Sequence, residues 1–348
     1  MSDKDNERYR ALMSKIGMHV EGVGVTGGVD PKLICTLKEA SSLLRRLMVS
    51  EGDAFGLSAL DESGNACLEY NAPGKMLLKL LKLHIPNDSR FNALYKFEPY
   101  IEMAMDHIKE FGLYPLLLTW WMQRSASEAQ MLMKHFNDYV HKIRQEVKSA
   151  RFLSRLNGYQ RSSNKNYKEL TEYVDALFEH HARLLVLRVD LSYSKENSKT
   201  TQAQAKRDRE RLFENARSNK LFGDMLGYIW KLEHGPEKGF HYHMMFFFDG
   251  SKVREDVNLA KRIGEYWKSV VTKGRGLYYN CNASKWRYEK RGIGMVNYGD
   301  DLLREGLQAA VFYLTKTDLY MKLQTVGRGM GKGNRPSGKG SRGRPRAI

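Results

Sequence analysis

Apolar positions follow two different rhythms along the chain. Over 31–155 they recur mainly at helical spacing. The clearest case follows Ser125, where Leu132, Phe136, Tyr139 or Val140, Ile143 and Val147 share one helical face. Ser125 and Glu128 form a capping-box pair ahead of that stripe. Beyond residue 183 the rhythm shortens. RLLVLRVDLSY (183–193), GYIWKLE (227–233) and FHYHMMFFF (240–248) predict strands, the last two joined by a turn holding Gly235, Pro236 and Gly239. Segments 276–282 and 292–298 predict a further strand pair, and 201–219, 253–271 and 301–323 predict helices. The order β-α-β-β-α-β-β-α, with adjacent hairpins, predicts an α+β domain: a largely antiparallel sheet with helices packed on it. Around it we expect a flexible N-terminus (1–30), a mostly helical region (31–155), a polar linker (156–169) and a flexible Gly/Arg-rich tail (326–348), leaving 170–325 for the α+β domain.

Composition narrows the class. Of 348 residues, 42% are hydrophobic, enough for a real core, so wholesale disorder is excluded. No run of 18 apolar residues occurs, so no membrane partner is expected. The opening MSDKDNERYR is charged where a signal peptide is apolar. Cys35, Cys67 and Cys281 lie far apart, which argues against a zinc ribbon or a disulfide framework and for a reducing cytoplasm. The 57 Lys+Arg against 40 Asp+Glu leave +17, pointing to a polyanionic partner. Residues 325–348 contain no acid; Arg328, Arg335, Arg342, Arg344 and Arg346 make them a candidate DNA-binding tail, the bland alternative being a solubilising terminus.

His241 and His243 flank Tyr242 in an apolar strand, so both fall on one face, about 7 Å apart. Glu233 ends the preceding strand. A turn over 234–240 places it opposite His241 on that same face; a turn one residue shorter sends it to the other. In the favourable register the set is His-His-carboxylate with open positions, which suits a catalytic divalent ion. Asp190, at the end of the first strand, is either a partner orienting a histidine or a turn former. His234 reads as a turn residue.

The last helix places Tyr313, Lys316 and Tyr320 at i, i+3 and i+7, on one face. A tyrosine beside a metal can attack a phosphodiester and store the bond covalently, and a nearby lysine helps neutralise charge. Two other pairs share the Y-x-x-K spacing, Tyr139–Lys142 and Tyr228–Lys231, so the motif counts only together with Glu233, His241 and His243.

WKLEHGPEKGFHYH and FYLTKTDLY carry a likeness to a known superfamily, supported by LRVDLSY, YWKSVV, GLYYNCN and VGRG. With these motifs, 170–330 resembles the HUH endonucleases, and more narrowly the replication initiators of inovirus type and their YagK/YfjJ-like prophage relatives. The resemblance implies a five-stranded antiparallel sheet flanked by helices, with the histidines on a central strand. It implies His241, His243 and Glu233 as ligands of Mg²⁺ or Mn²⁺, Tyr313 as nucleophile and Lys316 as its electrostatic partner. Tyr320 is seven residues from Tyr313, whereas two-tyrosine members space theirs by four. Tyr242 stands where the motif has an aliphatic residue. The implied activity is nicking of single-stranded DNA, or of an origin hairpin, through a 5′-phosphotyrosine, releasing a 3′-OH that primes a host polymerase for rolling-circle replication. No G-x-x-x-x-G-K-[ST] loop is present, so a host helicase is expected as partner. The rival readings are a DNA-binding regulator on the same fold that does not cut, a relaxase or transposase (for the former, with Tyr139 as candidate nucleophile), and an unrelated RNA-binding protein.

Overall fold

The computed structural model describes residues 31–235, 238–288 and 290–336. They divide into two compact units: 31–164 with 317–324, and 165–316 with 325–336. Among the described residues no helix is long and apolar enough to cross a membrane.

In the first unit, helices α1 (Pro31–Val49), α2 (Pro99–Glu110) and α3 (Ala126–Glu146) pack on one another. Their apolar stripes meet at Leu37, Leu44, Ile101, Phe136, Tyr139 and Ile143, all buried. Ser125 caps α3 as its position predicts: Oγ accepts from the Glu128 N–H at 3.4 Å and donates to the Glu128 carboxylate at 2.7 Å. Short strand pairs decorate the helices, so the region is less purely helical than expected.

The division between the units falls at 164/165, inside the polar stretch 156–169 expected as linker, but that stretch is helical, part of a 31-residue helix, α4 (Ala150–His180). Phe152, Leu156, Tyr159, Ser163, Tyr167, Leu170 and Val174 step along it by three and four, so one face continues straight through the polar sequence. Ser163 fills an apolar position because its buried hydroxyl donates to the Asp318 carbonyl at 2.9 Å. The final helix ends early. After α7 (Asp301–Lys316) comes a 3₁₀ turn, Thr317–Leu319, and then a strand, Met321–Leu323, antiparallel to Tyr95–Phe97. Leu314 and Met321 fit helical spacing, whereas Met321 and Leu323 also fit strand alternation; pairing with 95–97 decides for the strand.

The second unit is built on a six-stranded antiparallel sheet rather than five. Its strands are β1 (Arg183–Tyr193), β2 (Met225–Gly235), β3 (Gly239–Asp249), β4 (Gly276–Asn280), β5 (Gly294–Asn297) and β6 (Met330–Lys332). The order is β5-β1-β3-β2-β6, with β4 also on β1. β6 comes from the start of the segment read as a tail. Its Gly331 lies against the Trp230 indole, where a Cβ would sit 2.7 Å from ring atoms, so a glycine that signals flexibility in sequence permits close strand approach here.

β4 and β5 do not pair with each other. They share one edge of β1, β5 along 183–186 and β4 along 189–193. The gap in the ladder is closed by a side chain: Asn282 Oδ1 accepts from the Arg188 N–H at 2.8 Å, and its Nδ2 donates to the Val186 carbonyl at 3.0 Å.

One sheet face is apolar at its centre, with Leu187, Val189, Leu191, Leu232, Tyr242, Met244 and Phe246 all buried. Helices α5 (Gln202–Ala216) and α6 (Asp256–Tyr266) approach β3 and β1 respectively. The opposite face changes character along its length. Leu184, Val186, Ile229, Met245 and Phe247 pack into the cluster formed with α4 and α7. Further along the same face stand Arg188, Asp190, Lys231, Glu233, His241 and His243.

Candidate metal centre and tyrosine

The β2–β3 hairpin pairs Gly235 with Gly239 and Glu233 with His241, the register that brings the carboxylate onto the histidine face. Gly239 adopts φ +64°, and a Cβ there would collide with the Ser198 carbonyl. This position therefore needs glycine, and its own carbonyl orients the first histidine: His241 Nδ1 donates to Gly239 O at 3.0 Å. Asp190, paired across β1–β3 with His243, takes the His243 Nδ1–H at 2.7 Å.

Both histidines thus present Nε2 to Glu233. His243 Nε2 lies 3.2 Å and His241 Nε2 3.9 Å from Glu233 Oε2. The three donor atoms lie within 4.8 Å of one another, and all three residues are buried. His241 Nε2 has no hydrogen-bond partner. With Nδ1 protonated, that nitrogen is a lone-pair acceptor facing carboxylate oxygen, a buried arrangement that a cation would satisfy. Two imidazoles and a carboxylate fit a divalent first-row ion, with Asp190 and Gly239 O fixing the ring orientations.

Without a cation the charges settle differently on the two rings. Burial and then the neighbouring His243 lower His241 to about 4, keeping it neutral. Burial works against charge on His243 too, but Asp190 and Glu233 outweigh it and raise this imidazole to about 9. Burial disfavours the Glu233 anion, yet the two histidines and Lys231 bring its carboxyl down to about 2. His243 and Arg188 likewise overcome burial at Asp190 and hold its carboxyl below the ordinary carboxylate range. A protonated His243 donates to both Asp190 and Glu233, and an ion held at its Nε2 would displace the proton there.

Tyr313, on α7, reaches this site. Its ring stands edge-on to His243 with centroids 6.4 Å apart. The Arg188 guanidinium lies over the same ring, 4.9 Å from its centroid, and 3.6 Å from Asp190. Burial raises the Tyr313 phenol, as do the Glu233 and Asp190 charges, while Arg188 opposes them. Arg188 and Lys231 are two buried cations that the sequence reading passed over. The available signal was strand alternation: Arg188 is two residues before Asp190, and Lys231 two before Glu233.

The other candidates separate. Tyr320 lies past the end of α7, in the first unit, where burial and Glu98 push its phenol up to about 12. It does not share a helical face with Tyr313. The Lys316 side chain lies outside the described residues. Tyr139 is fully buried in the first unit and donates to the Ala104 carbonyl at 3.4 Å. Tyr228, on β2, stacks on Phe213. His234 faces away from Glu233 on β2 and its ring meets Phe240. Arg328 is exposed, and Arg335 pairs with Glu172 at 2.6 Å. Arg342, Arg344 and Arg346 lie outside the described residues.

The family model described as the YagK/YfjJ C-terminal domain matches residues 148–318. That span holds α4, the five strands β1–β5 and Tyr313. Neither a curated protein nor a solved structure matches the chain.

Proposed function

We propose that the second unit is a metal-assisted, site-specific single-strand DNA endonuclease and strand transferase of HUH type, which starts rolling-circle replication in the cytoplasm of a bacterial host. One observation carries the reading: a tyrosine on α7 stands against a histidine of the buried Glu233-His241-His243 cluster, with a guanidinium over its ring. In this reading Glu233, His241 and His243 hold Mg²⁺ or Mn²⁺, which when bound supplies Lewis-acid polarisation of the scissile phosphate. The Tyr313 oxygen attacks phosphorus and its proton is lost. The P–O3′ bond breaks, the 3′-oxygen leaves as a protonated hydroxyl, and a 5′-phosphotyrosine forms. Attack by a 3′-OH on that linkage reverses the step and rejoins a strand. Arg188 balances negative charge on the phenolate and the phosphate, and Lys316, three residues after Tyr313, does the same work. The substrate is single-stranded DNA or an origin hairpin, and a host helicase and polymerase complete replication.

The test is a denaturing gel of pooled single-stranded DNA from the flanking genome, incubated with the full chain and either Mn²⁺ or EDTA. Discrete nicks that need the metal support the reading. Shifted but uncut DNA, indifferent to metal, would favour a DNA-binding regulator on the same fold.

A further inference from the structure

The connection from β4 to β5 reads CNASKWRYEKR over 281–291 and begins as a 3₁₀ segment, Cys281–Arg287. It is pinned against β1 at its start. Asn282 bonds the backbone on both sides of Leu187, and its Nδ2 also lies 3.0 Å from the Asp256 carboxylate, which takes Lys285 at 2.8 Å. It is held again at Tyr288, whose hydroxyl bonds the Cys281 thiol; the Arg188 charge acts on both groups. Between these anchors the chain turns Trp286 outward, 67% exposed. The Arg287 guanidinium sits 4.9 Å from its ring; Lys290, which pairs with Glu305 at 2.5 Å, and Arg291 follow, also exposed.

Most of the indole faces solvent, and the Arg287 guanidinium is the charged group set against it. A rigidly based aromatic face with cations on the same short segment is the arrangement that accepts an unpaired base: the ring stacks the base while the cations meet flanking phosphates. A duplex, with its bases already stacked, offers the ring nothing.

We propose that Trp286 is a base-stacking platform for single-stranded nucleic acid, set on the connection that is pinned to β1 through Asn282. The proposal rests on the nuclease reading for the identity of the strand, but its test is binding and not cleavage.

A fluorescent single-stranded 20-mer and its duplex are titrated with the full chain by anisotropy, in EDTA, at about 0.15 M salt to damp tail contacts. Trp286→Ala is expected to weaken single-strand binding by about ten-fold, leave duplex binding unchanged, and be largely rescued in Trp286→Phe. Equal affinity of the Trp286→Ala and parent proteins for the single strand would overturn the platform and leave the nuclease reading standing. A selective loss in Trp286→Ala, in a protein that forms no metal-dependent nick, would uphold the platform and remove the nuclease. A parent protein with no single-strand affinity would remove both.

Discussion

The guanidinium of Arg188 lies 4.9 Å from the centre of the Tyr313 ring, with Asp190 Oδ1 3.6 Å from its Nε. One cation therefore joins the tyrosine to the carboxylate that orients His243. Arg188→Leu removes a buried charge and leaves Asp190 with His243 alone, so we expect a loss of about 3 kcal/mol in urea unfolding. Arg188→Lys should recover little, since an ammonium lacks the flat face that covers the ring. Parent-like stability of the leucine variant would contradict this role.

The metal site should report itself in thermal unfolding. Mn²⁺ at about 100 times its dissociation constant stabilises a protein by about 2.7 kcal/mol. The shift should vanish in His241→Ala. Asp190→Asn keeps the shape but loses the anionic acceptor for His243 Nδ1–H, and should weaken metal affinity about 10- to 100-fold. Unchanged Mn²⁺ titrations in both variants would remove the ion from the account.

Gly239 holds φ +64° beside Ser198, and its carbonyl orients His241. Gly239→Ala should cost at least about 1–3 kcal/mol and reduce Mn²⁺ binding with it. A variant that keeps both would show that the turn relaxes without disturbing the histidine.

In the first unit Glu98 is buried; one carboxylate oxygen is unpartnered and the other pairs with Arg45 at 3.2 Å. Burial raises its carboxyl above the ordinary value, the charge and hydrogen bonds of Arg45 and Ser41 only partly offsetting this. The folded state thus binds more protons than the unfolded one. This contribution is fully present below the unfolded value, about 4.3, and declines as pH rises through the raised folded value. Glu98→Gln should therefore gain stability relative to the parent as pH is raised from about 4 to 7. A constant difference across that range would contradict the assignment.

Much of this was readable along the chain. The 183–193 strand appears with the same ends, and the His-x-His spacing with Glu233 foretold a shared face once the turn length was granted. What escaped was decided by partners distant in sequence. Tyr159 and Ser163 fill positions in a helical stripe that polar neighbours disguise as a linker. Met330–Lys332 becomes a strand because Gly331 fits against Trp230. Tyr320 leaves the helix because 321–323 pairs with 95–97. Arg188 gains its meaning only from Asp190 and Tyr313, which the fold brings around it.

The central claim is that Tyr313 forms the covalent bond to DNA. The direct measurement is mass spectrometry of peptides from the full chain after reaction with pooled single-stranded DNA from the flanking genome and Mn²⁺, run beside Tyr313→Phe. The account predicts a nucleotide adduct on the peptide containing Tyr313, absent in Tyr313→Phe and in EDTA. An adduct that survives Tyr313→Phe, on Tyr320 or on Tyr139, would contradict it.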